Sequence, residues 1–311
     1  MNNKLAIIIP AFKPNFLAKT LDSLALQTNK NFNVYIGDDE SPFNLFEIIK
    51  PFFDRLNLYY HRFENNLGAE NIVIHWNRCL SLLNEEKWVL VFSDDDTLDT
   101  NCVEKFYYTI EEDKERHEVY RFDTRVINDE GELIIETNES PILDNSFNMT
   151  IDILLGKRGN SMPDHIFLVN KVKLNKGFVY TKYGQAADWA SSIFFSYSNG
   201  IKTMKGAKVN WRLGVFNISG SASKHRNQML EGHLEFITWV FDFISTQYSK
   251  EEVNELVVAI KYNLTWVIRN HYKGVTLKGI LMIYNCLSKI WLERINLFRY
   301  LYGFKNIIKI K

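Results

Sequence analysis

Three consecutive carboxylates, Asp94, Asp95 and Asp96, close the apolar run of residues 88–93. A run of that length reads as a buried strand, and in an open parallel sheet ligands bind at the carboxyl ends of strands. Adjacent carboxylates repel one another, so a positive partner is expected beside them unless all three are solvated. Mg2+ or Mn2+, which favour oxygen ligands and commonly share them with substrate phosphates, suit that demand. By itself the triplet reads more readily as a cap for a helix starting near Asn101, or as a solvated turn. A second acidic strand end tips the balance, because Gly37-Asp38-Asp39-Glu40-Ser41 follows the strand-like residues 33–37. Carboxylates there can accept hydrogen bonds from a base N–H or a ribose hydroxyl, leaving the phosphates of a nucleotide to the metal. The first strand runs into Ile9-Pro10-Ala11-Phe12-Lys13-Pro14 without a GxGxxG turn, and the chain has no GxxxxGK[ST] loop, which disfavours a dinucleotide fold and a P-loop.

The elements that must position these acids alternate between short apolar runs and amphipathic stretches. Residues 5–10, 33–37, 58–62, 88–93 and 118–122 are rich in Ile, Val, Leu and aromatic side chains and predict strands. Phe16, Leu17, Leu21, Leu24 and Leu26 recur near helical spacing and predict the first intervening helix. The whole predicts an α/β fold, a mostly parallel sheet flanked by helices. Residues 124–223 mix expected strands at 132–136 and 165–170 with turn-rich pieces such as Asn128-Asp129-Glu130-Gly131. Beyond Gln228 the pattern is helical, over residues 229–248, 251–272 and 277–302.

Composition narrows the class. The 311 residues are 46% hydrophobic and 24% charged, inside the globular range, and the 37 basic and 37 acidic side chains cancel. Without a basic field to hold a polyanion, nucleic acid is not an expected partner. Cys79, Cys102 and Cys286 are odd in number and lack CxxC spacing, which predicts a reducing, cytoplasmic setting. No signal-peptide pattern opens the chain. The last helix carries Ile280, Ile283, Leu287, Ile290, Trp291 and Phe298 among Lys289, Arg294 and Arg299. Two readings stay open for it: a peripheral contact with the inner face of the cell membrane, or packing on the preceding helices. Its charges interrupt the roughly 20 apolar residues that a transmembrane span requires.

Taken in order, these pieces resemble glycosyltransferase family 2, the nucleotide-sugar transferases of GT-A fold. Ile7 to Phe12 resembles the opening strand of that family, Leu17 to Thr28 its first helix, and Gly37-Asp38-Asp39-Glu40-Ser41 its nucleotide-binding turn. Asn66-Leu67-Gly68 and Asn77-Arg78-Cys79 resemble the helix that follows, and Phe92 to Asp96 the metal-binding region. The resemblance implies a GT-A domain over residues 1–225, with a nucleotide-binding half at 1–122 and an acceptor-side half at 123–225, and a helical C-terminal region at 226–311. It implies an inverting transfer from a nucleotide-sugar donor, UDP-linked in first place, to a glycan or lipid-linked saccharide acceptor in bacterial surface polysaccharide synthesis.

Carried over by position, the resemblance assigns nucleotide contacts to Pro10, Ala11, Phe12, Asp38, Asp39, Asn71 and Asp94, and a Mn2+ or Mg2+ ion to Asp95 with Asp96. Within Gln185-Ala186-Ala187-Asp188-Trp189 it implies Asp188 as the general base, with Ala187 where relatives carry a Glu. A sugar hydroxyl is a poor nucleophile until its proton is taken, so a base is what the chemistry asks for. The plainer role for Asp188 is an N-cap of a helix over residues 189–197. His165, Trp189 and Arg212 are the acceptor-side candidates, each with an ordinary alternative as a strand, core or surface residue. Ser93 and Gly214 depart from the family pattern, at positions where relatives place an Asp and a metal-touching His. Those departures keep a second reading, a binding module that has lost catalysis, beside the enzyme; a nucleotidyltransferase is the third, without the basic glycine-rich loop it would need.

Overall fold

The computed structural model describes residues 5–157, 161–214, 226–270 and 277–291. Its central strand, β1 (Leu5–Ala11), is buried along its length, as a strand covered on both faces must be. Leu5, Ile7 and Ile9 enter one apolar layer while Ala6 and Ile8 enter the other, following the alternation of the pleat. The chain continues through α1 (Leu17–Ala25), β2 (Phe32–Asp38), α2 (Leu45–Ile49), β3 (Leu58–Arg62), α3 (Ile72–Cys79), β4 (Trp88–Val91), β5 (Thr97–Leu98) and α4 (Cys102–Glu112). After these come β6 (Val119–Ile127), β7 (Leu133–Glu136), β8 (Leu143–Asp144), α5 (Ser146–Leu154), β9 (His165–Leu168), α6 (Val169–Leu174), α7 (Ala187–Ser196) and β10 (Ile201–Arg212). Three long helices follow: α8 (Arg226–Ser245), α9 (Lys250–Asn270) and α10 (Leu277–Trp291).

One sheet runs in the order β3-β2-β1-β4-β9-β6-β10-β5, with β7 on β6 and β8 on β10. β3, β2, β1 and β4 are parallel, and β10 is parallel to β6. β9 runs against both of its neighbours, β4 and β6. Helices cover both faces, giving the mixed α/β architecture of a GT-A domain. α1, α2 and α4 bury Leu21, Ile49 and Phe106 against one face, and α3, α5, α7 and the C-terminal helices lie against the other.

The stretch expected as a strand over 165–170 divides into β9 and the start of α6. Sequence periodicity could not separate a four-residue strand from a helix that follows it without a turn. α10 buries Ile280, Ile283, Leu287 and Ile290, and its Lys289 pairs with Asp242 of α8 at 2.7 Å. Over the described part of that helix the apolar stripe is core; the remainder expected to 302 lies outside the described residues. Among the described residues no helix is long and apolar enough to cross a membrane.

Candidate active site

The strand order turns between β1 and β4, and their carboxyl ends form the crevice that such a switch point offers to a ligand. Asp94 closes it: one carboxylate oxygen, Oδ2, accepts the backbone N–H of Phe12 at 2.9 Å and of Lys13 at 2.8 Å. The positive partner that the acidic triplet demanded is Lys13. Its Nζ lies 3.2 Å from Asp94 Oδ1 and 2.5 Å from Asp95 Oδ2. Burial works against the ammonium charge, but the two carboxylates outweigh it and hold the Lys13 pKa above its ordinary value. Asp96 faces inward, where its Oδ1 accepts the N–H of Arg212 at 2.8 Å. Burial first, and Asp95 second, push the Asp96 carboxyl up to about 8.

The other acidic strand end is locked by local bonds. Asp38 is fully used: Oδ1 accepts from Ser41 N at 2.7 Å, and Oδ2 from the Tyr60 hydroxyl at 2.7 Å and Arg62 Nη1 at 3.0 Å. Asp38 therefore builds the turn. Asp39, only 3% exposed, accepts the N–H groups of Leu67 at 2.9 Å and Gly68 at 2.8 Å, and pairs with Arg78. Gly68 is required by this approach, since a Cβ there would lie 2.4 Å from Asp39 Oδ2. Beside it, burial lowers the His75 pKa to about 4 despite Asp39, so the ring is neutral. Its Nε2–H donates to Gly37 O at 3.1 Å while Nδ1 accepts from Arg78 Nε at 3.0 Å, which assigns the tautomer from the bonding network.

Pro10 and Ala11 belong to β1, where the Ala11 carbonyl accepts Asp39 N at 2.9 Å. Ser41 Oγ donates to the Phe12 carbonyl at 2.7 Å, so the two acidic turns are tied together while the Phe12 ring stays exposed at their edge. Asn71 is buried as the N-cap of α3, accepting Val73 N at 3.0 Å and donating to Thr181 O at 2.8 Å.

On the acceptor side, α7 begins at Ala187, so Asp188 lies in the first turn and is not the N-cap. The cap is Ala186, in the left-handed region at φ 56. A carboxylate in a first helical turn is favoured by the helix dipole. Burial still dominates: it pushes Asp188 up to about 6, with the Asp164 charge adding to the shift and His165 opposing it. Asp164 and His165 are near because β9 is reversed, which brings its amino end to the same edge as the carboxyl end of β4. His165 is 0% exposed, touches Asp164, and shares a hydrogen bond of 3.0 Å between Nδ1 and Ser161 O. Trp189 packs edge to face on Phe236 at 5.7 Å. Arg212 is 1% exposed and donates to the carbonyls of Asp95 at 2.8 Å and Asn128 at 2.6 Å. His165 and Arg212 are thus interior residues.

Among the described residues no three His, Cys, Asp or Glu side chains converge as a ready-made cation cage. Two carboxylates do converge, Asp94 Oδ1 and Asp95 Oδ2, on the point held by Lys13. One or two carboxylates completed by substrate phosphates is the usual setting of Mg2+, so these oxygens fit a divalent ion that arrives with a diphosphate. Asp96, engaged by the Arg212 N–H, buttresses that point from behind. A Cβ at 214 would lie 2.1 Å from Asp129 Oδ1, so a histidine there would require the Asp129 carboxylate to move. Ala187, in place of a Glu, is fully buried in the core. A separate cleft of about 350 Å³, lined by Lys19, Thr97, Asp99, Arg125 and Arg212 among others, includes none of Asp39, Asp94, Asp95 or Asp188.

The family model for Glycosyl transferase family 2 matches residues 6–174, more than half of the chain. The chain belongs to glycosyl transferase family 2. It is a glycosyltransferase, and of the expected site residues only Asp188, Trp189 and Arg212 lie beyond the matched segment. Among solved structures, S. aureus TarS 1-349 shares the fold with a TM-score of 0.63 at 18% identity, over 92% of this chain and 80% of that one. Against the longer TarS structure the chain spans 48% of the length. TarS 1-349 has been solved with UDP-GlcNAc and with UDP. A mannosyltransferase, PcManGT from Pyrobaculum calidifontis, solved with GDP-Man and Mn2+, has a TM-score of 0.53 at 10% identity, over 98% of this chain and 84% of that one. At such identities the likeness is one of fold. No curated protein matches the sequence significantly.

Sequence reasoning about this family 2 enzyme missed Lys13, Arg78 and Asp164. A signal existed for Lys13: the triplet needed a cation, and this lysine lies just beyond the strand that neighbours β4.

Proposed function

We propose that this family 2 glycosyltransferase moves a hexosyl or N-acetylhexosaminyl group from a nucleoside-diphosphate donor, uridine-linked in first place, to a hydroxyl of a glycan or lipid-linked saccharide. The setting we infer is bacterial surface polysaccharide synthesis at the inner face of the membrane. The observation that carries the donor assignment is the junction of Asp94 with the Phe12 and Lys13 amides at the β1/β4 switch point, with Asp95 beside it. The nucleotide sugars held by TarS and PcManGT support the same reading.

In this reading the nucleoside lies toward Asp39, Arg78 and the exposed Phe12 ring, and the diphosphate over Lys13, Asp94 and Asp95. Held by Asp95 and Asp94, a Mn2+ or Mg2+ ion would supply Lewis-acid neutralisation of the departing diphosphate. Asp188 Oδ1 accepts the Trp189 N–H at 2.9 Å, which leaves Oδ2 to accept the proton of the acceptor hydroxyl. The hydroxyl oxygen bonds to the anomeric carbon as the bond from that carbon to the diphosphate breaks, so the configuration inverts. A base raised to about 6 is ionised at neutral pH yet basic enough to draw the proton.

Calorimetric titration with UDP, GDP, ADP and their sugars, in Mn2+ and then in excess chelator, tests the donor site. One nucleoside diphosphate binding only with metal is the expected result. Absence of binding across the panel would remove the donor assignment.

A further inference from the structure

The crevice contains a cation of its own. Lys13 Nζ sits between Asp94 and Asp95, on the two oxygens that a divalent ion would need. Two ions of like charge cannot share that point, so metal and ammonium compete for it. The two ends of Lys13 are held differently. Its backbone N–H is fixed on Asp94 Oδ2 at 2.8 Å, whereas its side chain keeps 26% of its surface exposed and ends in a flexible four-carbon stem. The ammonium can therefore swing outward without moving the strand end. In a glycosyltransferase that takes a diphosphate-linked donor, the nearest anion it would meet is the diphosphate.

Resting on that reading of the donor, we propose that Lys13 is a tethered counter-ion of the donor site. It neutralises Asp94 and Asp95 while the site is empty of donor, yields them to the divalent metal, and transfers its ammonium to the donor diphosphate. The exchange balances in charge: two carboxylates give up one ammonium and receive one divalent ion, and the displaced ammonium meets an entering phosphate oxygen. The arrangement has two consequences. Metal alone binds poorly because it must displace an ion pair, and metal with diphosphate binds well because the displaced cation gains a partner. Donor and metal binding are coupled through this one side chain.

The test measures free Mn2+ by electron paramagnetic resonance in titrations of wild type, Lys13→Met and Lys13→Arg, first without nucleotide and then with UDP. Without nucleotide, Lys13→Met should bind Mn2+ at least about tenfold more tightly than wild type, since two carboxylates are released, and Lys13→Arg should bind as weakly as wild type. With Mn2+ saturating, Lys13→Met should lose about tenfold in UDP affinity, partly regained in Lys13→Arg. Mn2+ affinity in Lys13→Met equal to or below that of wild type overturns the inference, including the case in which neither protein binds the ion. Should the Met variant not fold, reductively 13C-dimethylated wild type gives the answer by NMR. The Lys13 signal, identified by its loss in Lys13→Arg, should shift when Mg2+ and UDP are added together, and an unmoved signal while UDP binds overturns the proposal. The nucleotide-free titration keeps the two readings apart. Failure of UDP to bind removes the donor assignment alone, and unchanged Mn2+ affinity with intact UDP binding removes the counter-ion alone.

Discussion

Asn71 reaches across 110 positions of sequence to Thr181: its side-chain amide donates to the Thr181 carbonyl at 2.8 Å while its oxygen caps α3. One side chain thus fastens α3, whose Arg78 pairs with Asp39, to the turn that leads into Asp188. Asn71→Ala removes the cap and leaves a buried carbonyl without its donor, and should cost about 2–4 kcal/mol. Asn71→Ser, which can cap but cannot span to Thr181, should recover about 1 kcal/mol of that loss. Urea denaturation of the three proteins checks both values.

Asp188→Asn should retain the donor and lose transfer. A positioned base contributes typically about 10² to 10⁴ in rate, so kcat should fall by that factor while the calorimetric affinity for the donor stays unchanged. Equal kcat in variant and parent would end the assignment of Asp188 as the base.

The same residue sets two opposite pH responses. The base must be ionised, so kcat for transfer should rise with pH through about 6 and level off above it. Stability runs the other way. The folded chain holds the Asp188 proton more tightly than the unfolded chain, whose carboxyl titrates near 3.8, so stability present at low pH is lost as pH rises through about 6. At pH 8 Asp188→Asn should be more stable than wild type by at most about 3 kcal/mol, a gap that closes toward pH 4. Thermal unfolding of both proteins at several pH values between these limits checks the sign.

Gly68→Ala should act at a distance from any reacting atom. Its Cβ would stand 2.4 Å from Asp39 Oδ2, forcing the carboxylate or the 67–68 loop to shift. A loss of about 1–3 kcal/mol in stability is expected, together with weaker nucleoside binding and unchanged Mn2+ affinity. Calorimetry with the bound nucleoside diphosphate and with Mn2+ alone separates these effects.

Much of the donor half was legible because its information is local. Residues 58–62 were expected as a strand and β3 has those bounds; the runs at 5–10 and 33–37 each grew by a residue or two at their ends. Composition and apolar periodicity suffice there for β1, β2 and β4, which are buried on both faces, while the edge strand β3 keeps its aromatic, strand-favouring residues half exposed. The partners of the carboxylates were not legible. Asp38 and Asn71 look from sequence like ligand contacts, yet their hydrogen bonds close on Tyr60, Arg62 and Thr181, residues that only the folded chain brings near. The depth of His165 and Arg212 was equally invisible: buried bonding to Ser161 and to the carbonyls of Asp95 and Asn128 compensates their polar groups, and those partners come from distant or turn segments. The reversal of β9 has no signature in spacing, and for Lys13 the sequence shows the triplet's need of a cation but not which strand end supplies it.

The reversal of β9 carries a consequence for how such an enzyme can change. In a sheet whose strands all point one way, the reactive edge is furnished only by segments leaving the strands, and those same segments fix the donor. Here the turn Met162–Asp164 enters the edge from the opposite direction, beside Asp188 and apart from the strand ends that hold Asp39 and Asp94. Substitutions there can alter the surroundings of Asp188 while the crevice at β1 and β4 keeps its residues, so if the proposed roles hold, the two specificities can drift separately within one sheet.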